Sequence, residues 1–134
     1  EIFNVTPYSR ESNIDFFLRV TDTMSKVANV HYLIAEATMS ESNVKTAFQT
    51  FQNISKLDIQ QNVYESWEVS QKYITEDNYG NFIETIIVPN KYYKVWVKAV
   101  DAELRLFDGL RNISYGNSDT IYLQGLEPTL SDVM

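Results

Sequence analysis

Histidine is the side chain best suited to proton transfer near neutral pH, and the chain has one, His31. A Ser-His-Asp triad would need a serine nucleophile beside that imidazole, and the Gly-x-Ser-x-Gly segment that presents such a serine in many hydrolases is absent. The residues around His31 alternate in the manner of a strand. We therefore predict that His31 is a half-buried or hydrogen-bonded strand residue and that the chain is not an enzyme.

Carboxylates are a second source of chemistry, since a glycosidase needs two of them about 5 to 9 Å apart. The chain has 18 acidic residues, and the sequence gives no means of selecting a pair. Most of them, such as Glu65 and Glu68, occupy positions that a solvated strand face would use. No acid–base pair is predicted.

Oxygen ligands of the kind that calcium accepts gather between residues 101 and 119. They are Asp101, Glu103, Asp108, Asn112, Asn117 and Asp119. Their spacing is not that of an EF-hand loop, in which acidic or amide ligands alternate around a glycine. We expect a polar, solvated loop here, with no metal ion and no cofactor.

Aromatic rings could act by stacking on sugars or on protein side chains. In the segment from Tyr92 to Asp101 the residues that share one side are Tyr93, Val95, Val97 and Ala99. If that side faces inward, Trp96 lies on the outer face between Lys94 and Lys98. It would then be either an exposed stacking platform or a ring covered by lysine stems or by a neighbouring strand. Tyr92 and Tyr115 are the other candidate stacking residues.

Composition excludes several kinds of function. The net charge is −7 with scattered basic residues, so nucleic acid is not an expected partner. The longest apolar runs, such as Thr85 to Pro89, are far shorter than the roughly 20 residues of a membrane span. The absence of cysteine removes disulfides, thiolate metal sites and thiol nucleophiles.

The elements that would position these residues are mostly strands. Alternation predicts strands at Ile14 to Thr21, Val27 to Ala37, Val63 to Ile74, Asn81 to Val88, Tyr92 to Asp101 and Asp119 to Leu123. A period of 3.6 predicts a helix near residues 41–52, with Ser40 as its N-cap. The pattern as a whole predicts an all-β, two-sheet antiparallel sandwich of about seven strands with one short inserted helix.

One segment, residues 87–99, has a specific spacing: an aliphatic residue, a proline two positions later, a tyrosine four after that, then alternating valines and an alanine. These residues are Ile87, Pro89, Tyr93, Val95, Val97 and Ala99. The segment resembles the E–F corner and F strand of fibronectin type III domains. In that family the proline turns the chain and the tyrosine hydroxyl bonds the corner backbone. The resemblance gives these structural roles to Pro89 and Tyr93. We expect the two sheets to be joined by Phe16, Leu18, Tyr32, Val95 and Val97.

The similarity extends over most of the chain. Residues 111–123 are similar to the F–G connection and G strand of the family, and residues 14–37 to strands B and C of bacterial members. Three features depart from the pattern: Phe16 or Phe17 stands where many members have a tryptophan, the helix at 41–52 is additional, and the connection at 101–111 is long. No Arg-Gly-Asp sequence is present, so integrin binding is not carried over.

The resemblance implies a domain at residues 1–124 and a linker or tail at 125–134. The chain begins at Glu1, and we expect it to be a segment of a longer extracellular or cell-surface protein. It implies a non-catalytic spacer or interaction module whose partners are adjacent domains and a protein or polysaccharide at the cell surface. The alternative is a carbohydrate-binding module that uses Trp96, Tyr92 and Tyr115. Three Asn-x-Ser/Thr sequons, at Asn4, Asn53 and Asn112, matter only if the protein is secreted by a eukaryote.

Overall fold

The computed structural model describes residues 2–3, 13–22, 26–51, 54–56, 62–104 and 110–123. These residues form ten strands and one helix, so the predicted all-β character with one short helix is confirmed. In chain order the elements are β1 (Ile2–Phe3), β2 (Ile14–Thr21), β3 (Val27–Glu36), α1 (Glu41–Ala47), β4 (Ile54–Lys56), β5 (Val63–Ser70), β6 (Lys72–Glu76), β7 (Phe82–Ile86), β8 (Lys91–Leu104), β9 (Arg111–Asn117) and β10 (Ile121–Leu123). The predicted tail at 125–134 lies outside the described residues.

The strands form two sheets. The smaller has the order β1-β2-β5 and is antiparallel, with Phe17 opposite Trp67 in the β2–β5 ladder. The larger has the order β10-β8-β3-β6-β7, with β4 paired to β3 and β9 to β8. Its central ladder joins β3 and β8 in antiparallel register, from Val27 opposite Asp101 to Glu36 opposite Tyr93.

The prediction of a wholly antiparallel fold is wrong at one pairing, because β6 runs parallel to β3 with Ala35 opposite Ile74. The sequence also predicts one strand from Val63 to Ile74, where the structure has two that belong to different sheets. The chain changes sheet at Gln71, whose carbonyl accepts a hydrogen bond from Ile87 N–H at 2.8 Å. The Ser70 hydroxyl bonds the backbone of Lys72 on the other side of this bend.

The core lies between the two sheets. Side chains at alternate positions of β2, β3 and β8 fill this core. The residues predicted to join the sheets are all buried there: Phe16, Leu18, Tyr32, Val95 and Val97. The rings of Phe16 and Tyr32 meet edge to face, with centroids 5.0 Å apart.

Helix α1 forms a third layer on the outer face of the larger sheet. It buries Val44, Ala47 and Phe48 against side chains of β3, β6 and β8. We call this group the outer cluster; its buried members are Leu33, Ala35, Val44, Ala47, Phe48, Ile74 and Trp96. Both faces of β3 are therefore covered, which accounts for the apolar residues on both of its sides.

The helix begins as the sequence predicts and ends earlier. The Ser40 hydroxyl accepts a hydrogen bond from Asn43 N–H at 3.2 Å, which satisfies one of the free amides of the first turn. Helix α1 stops at Ala47 rather than near residue 52, because residues 48–50 continue as turns. Phe51 still packs against the outer cluster. Within the described residues, no helix is long and apolar enough to cross a membrane.

Candidate functional site

Tyr93 lies on the inner face of β8 with its ring fully buried. Its hydroxyl donates a hydrogen bond to the Val88 carbonyl oxygen at 2.6 Å and accepts one from Val88 N–H at 3.1 Å. Burial raises the pKa of this hydroxyl, although the backbone bond at Val88 acts in the opposite direction. Pro89 is exposed at the bend that follows, and Asn90 adopts a φ of 64°. The hydroxyl thus ties the bend between β7 and β8 to the core.

Trp96 is only 4% exposed, because α1 covers the face on which it lies. Of the two alternatives for Trp96, an exposed stacking platform and a covered ring, the structure shows the covered ring. The covering groups are side chains of α1 and of the neighbouring strand β3, with Tyr115 of β9 packed against the same cluster. In the described part of the chain the indole Nε1–H has no hydrogen-bond partner, so Trp96 acts as an apolar side chain of the outer cluster.

The other two candidate rings lie in different surroundings. Tyr115 packs against the outer cluster, with its ring 5.8 Å from that of Phe48 and the Lys45 ammonium 4.9 Å above it. It helps to hold α1 in place. Tyr92 is 60% exposed and contacts the ring of Tyr122 across the β8–β10 ladder at 4.8 Å. The structure brings Tyr115 and Trp96 into one cluster and keeps Tyr92 apart from it.

The largest exposed ring on a sheet face belongs to a residue that was not a candidate. Trp67 is 61% exposed on the outer side of the smaller sheet, and Val69 beside it is 56% exposed. We call this surface the Trp67 face; its members are Asp15, Phe17, Arg19, Glu65, Trp67 and Val69. Phe17 and Trp67 meet edge to face, with centroids 5.2 Å apart and planes at 71°.

The Trp67 face was not identified from the sequence, because the more apolar side of a strand is expected to face the core and in β5 it faces solvent. Its more apolar side, with Val63, Trp67 and Val69, points to solvent. Its inner side carries Tyr64 and Ser70, both buried, together with polar residues between them. The Tyr64 hydroxyl donates to the Glu68 carboxylate at 3.2 Å. The sequence groups Val63, Trp67, Val69 and Tyr73 on one side of a single strand, and the change of sheet at Gln71 separates Tyr73 from the rest.

A charged cluster closes one end of the core. The Lys91 ammonium lies 2.9 Å from the Glu36 carboxylate and donates to the Tyr73 hydroxyl at 3.3 Å. Burial would raise the pKa of Glu36, but hydrogen bonds from Lys91 and Thr75 and the charge of Lys91 outweigh it and lower the pKa. The same bond to Glu36 raises the pKa of Lys91. The cluster ties the end of β3 to the start of β8 and to β6.

The remaining candidates of the sequence are dispersed. His31 is buried in β3, opposite Ser55 and Lys98 on the neighbouring strands. Among the described residues, no three His, Cys, Asp or Glu side chains lie close enough to hold a metal ion. The expectation of a solvated loop over residues 101–119 is wrong for most of the described part of that segment, because residues 101–104 belong to β8 and residues 111–117 form β9; Asp108 falls outside the described part of the chain. Asn112 is exposed on β9, whereas Asn4 and Asn53 lie outside the described residues.

Comparison with protein-family models, with curated proteins and with solved structures finds no match in any of the three.

Proposed function

We propose that this chain is a non-catalytic interaction and spacing module, of the fibronectin type III kind, in a larger extracellular or cell-surface protein. Its partners would be the adjacent domains of that protein and a protein or polysaccharide at the cell surface. The observation that carries the proposal is the Trp67 face. A large aromatic ring that remains mostly in water on the face of a sheet, next to further exposed apolar surface, favours a contact surface.

The scaffold beneath this face is suited to binding. The inward residues of β2, on the other side of the same strand, are fully packed into the core. The Tyr93 hydroxyl fixes the bend that leads into β8. A contact surface carried by packed strands keeps its geometry better than one carried by loops. Such a surface needs no ordering when a partner arrives, which reduces the cost of association.

The second candidate, a carbohydrate-binding module, is favoured by the same exposed indole. Sugar rings present flat faces of C–H groups that pack on aromatic rings, while their hydroxyls need polar partners nearby. The Trp67 face has an exposed aromatic ring and, beside it, the polar Arg19–Glu65 pair. The ring of Trp96 is buried and cannot contact a sugar. The carbohydrate-binding candidate is therefore kept, with Trp67 in place of Trp96 as its stacking residue.

The purified chain should be mixed with a panel of polysaccharides. Two quantities are then measured: the fraction of the protein that stays bound to each polysaccharide, and the number of new sugar reducing ends, which reports hydrolysis. Retention without new reducing ends is the expected result for a non-catalytic binding module. New reducing ends that increase with protein concentration would contradict the non-catalytic proposal. Absence of retention on every polysaccharide would remove the second candidate and leave a protein as the partner.

A further inference from the structure

We infer that the Trp67 face binds a neutral polysaccharide chain, which lies along β2 and β5 with one sugar ring stacked on Trp67. This inference rests on the proposed function and names its site and ligand class. The face has two aromatic side chains at its middle, where Phe17 lies opposite Trp67, and Val69 follows one pleat away on β5. Phe17 supports the indole edge to face, so that the ring is held before a ligand arrives.

Polar groups lie on both sides of the indole at the spacing of the strand. Arg19 and Glu65 face each other one pleat away, and Asp15 lies opposite Val69 one pleat away in the other direction. Residues on one face of a strand repeat at about 7 Å. A chain running along the strands would therefore place hydroxyls of the flanking sugars near these side chains while the central sugar stacks on Trp67.

The chemistry of these polar groups matches sugar hydroxyls. The Arg19 Nε lies 3.2 Å from the Glu65 carboxylate, and both side chains are nearly half exposed. A carboxylate accepts hydrogen bonds and a guanidinium donates them, so the pair can serve both functions of a hydroxyl. Asp15 adds a second exposed acceptor.

The shape of the face favours a narrow ligand over a folded protein. Strands β2 and β5 each have eight residues. Two strands of that length make a strip about 27 Å long and about 10 Å wide, which the two residues of β1 extend only beside Phe17 and Leu18. An extended polysaccharide fits such a strip, and an extended peptide would be drawn instead to the backbone groups along a strand edge.

Charge selects a neutral polymer. The chain carries a net charge of −7, and two of the three charged residues on the face are acidic. Because Arg19 pairs with Glu65, the Asp15 carboxylate and the negative charge of the whole chain are what would repel a polymer of uronic acids. Neutral hexose or pentose chains meet no such penalty.

The test is affinity electrophoresis of the native chain in gels that contain hydroxyethylcellulose, xylan, galactomannan or carboxymethylcellulose. We expect retardation by at least one neutral polymer, at least tenfold weaker binding in Trp67→Ala, and a smaller loss in Trp67→Phe. Tyr79→Ala is the control, because Tyr79 is 88% exposed in the turn between β6 and β7 of the larger sheet and was never a candidate for stacking on a sugar. Circular dichroism verifies that each variant is folded.

Each other outcome would contradict a separate part of the proposal. Retardation that Trp67→Ala leaves unchanged would overturn the site while the binding function stands. No retardation of the native chain in any neutral polymer would overturn the ligand class while the spacing function stands. Stronger retardation by carboxymethylcellulose would overturn the selection for neutral polymers. A dimer seen by analytical ultracentrifugation that Trp67→Ala abolishes would show that a second copy of the chain occupies the face.

Discussion

At the scale of single residues, Tyr93 has the most demanding position in the molecule. Its ring is packed among core side chains, with the Tyr73 ring edge to face at 5.0 Å. Its hydroxyl nevertheless satisfies both backbone groups of Val88. A phenylalanine would keep the packing and lose both bonds, so this position separates the contribution of the hydroxyl from that of the ring.

We predict that Tyr93→Phe lowers the free energy of unfolding by about 1 to 2 kcal/mol, because the partly buried carbonyl and amide of Val88 lose their partner. Urea denaturation would measure the change. Tyr92→Phe is the control, since the adjacent Tyr92 side chain is exposed and should give almost no change. Equal stability of Tyr93→Phe and the native chain would show that the hydroxyl contributes nothing to the fold.

The Glu36–Lys91 ion pair makes the stability depend on pH. Because the folded-state pKa of Glu36 is lowered below 4.5, the pair stabilises the protein above that value and loses its effect as the pH falls through the lower, folded-state pKa. Both side chains are partly exposed, so solvent screening keeps the contribution small. The raised pKa of Lys91 extends the effect to strongly alkaline pH, where the lysine loses its proton.

We predict that Glu36→Gln destabilises the protein by about 0.5 kcal/mol at pH 7, and that the difference from the native chain disappears at pH 2.5. Thermal unfolding at both pH values would test this. Glu84→Gln is the control, because the Glu84–Lys72 pair is longer, at 3.8 Å, and should contribute less. A difference that persists in acid would mean that the Glu36 charge is not the cause.

At the scale of elements, the sequence predicted the strands whose inner side is apolar. It did not predict the parallel β3–β6 pairing or the change of sheet at Gln71, which depend on residues far apart in the chain. The alternation in β2 and β8 identified their inward residues correctly. The parallel contact between β3 and β6 has no local signal, because Ser70 to Lys72 contains neither proline nor glycine to mark a change of sheet. Secondary structure was therefore more predictable than topology.

The candidate site was less predictable than the fold for a related reason. The pattern of β8 placed Trp96 correctly on the outer face. That α1 covers this face depends on tertiary packing, which the local pattern does not show. The apolar residues on both sides of β3 were a usable signal, since a strand covered on both faces needs a second layer. For Trp67 the signal pointed the wrong way, because the more apolar side of β5 faces solvent.

Helix α1 has seven residues, too few to be stable without its cap and its packing. We predict that Ser40→Ala costs about 1 kcal/mol, because the Asn43 amide loses its acceptor. Ser42→Ala is the matched control: Ser42 is exposed inside the helix, where alanine is favourable. Chemical denaturation should show a loss for the first variant only, and equal stabilities would argue against the cap.

At the scale of the whole molecule, the two apolar groups lie on opposite sides of the same strands. The core uses Val30, Tyr32 and Ile34 of β3, while the outer cluster uses Leu33 and Ala35 of that strand. Strand β8 is shared in the same way, through Val95 on one side and Trp96 on the other. Neither group can be lost while the other keeps its shape.

We therefore predict a single cooperative unfolding transition. Trp67→Phe would leave Trp96 as the sole tryptophan and a reporter of the outer cluster. Its fluorescence should change at the same denaturant concentration as the far-ultraviolet circular dichroism, which follows the sheets. A fluorescence change at lower denaturant would show that α1 detaches first and would contradict the prediction.

The central ladder also affects how the chain reaches this structure. Lys91 and Glu36, at one end of the β3–β8 pairing, are 55 positions apart in the sequence. Closing that loop costs conformational entropy before the strand pairing can offset it. Folds dominated by such distant pairings form in about milliseconds to seconds. Strand β5 is an edge of the smaller sheet and exposes Trp67 and Val69 even after folding, so we expect it to be a site of aggregation in the folded as well as in the newly made protein.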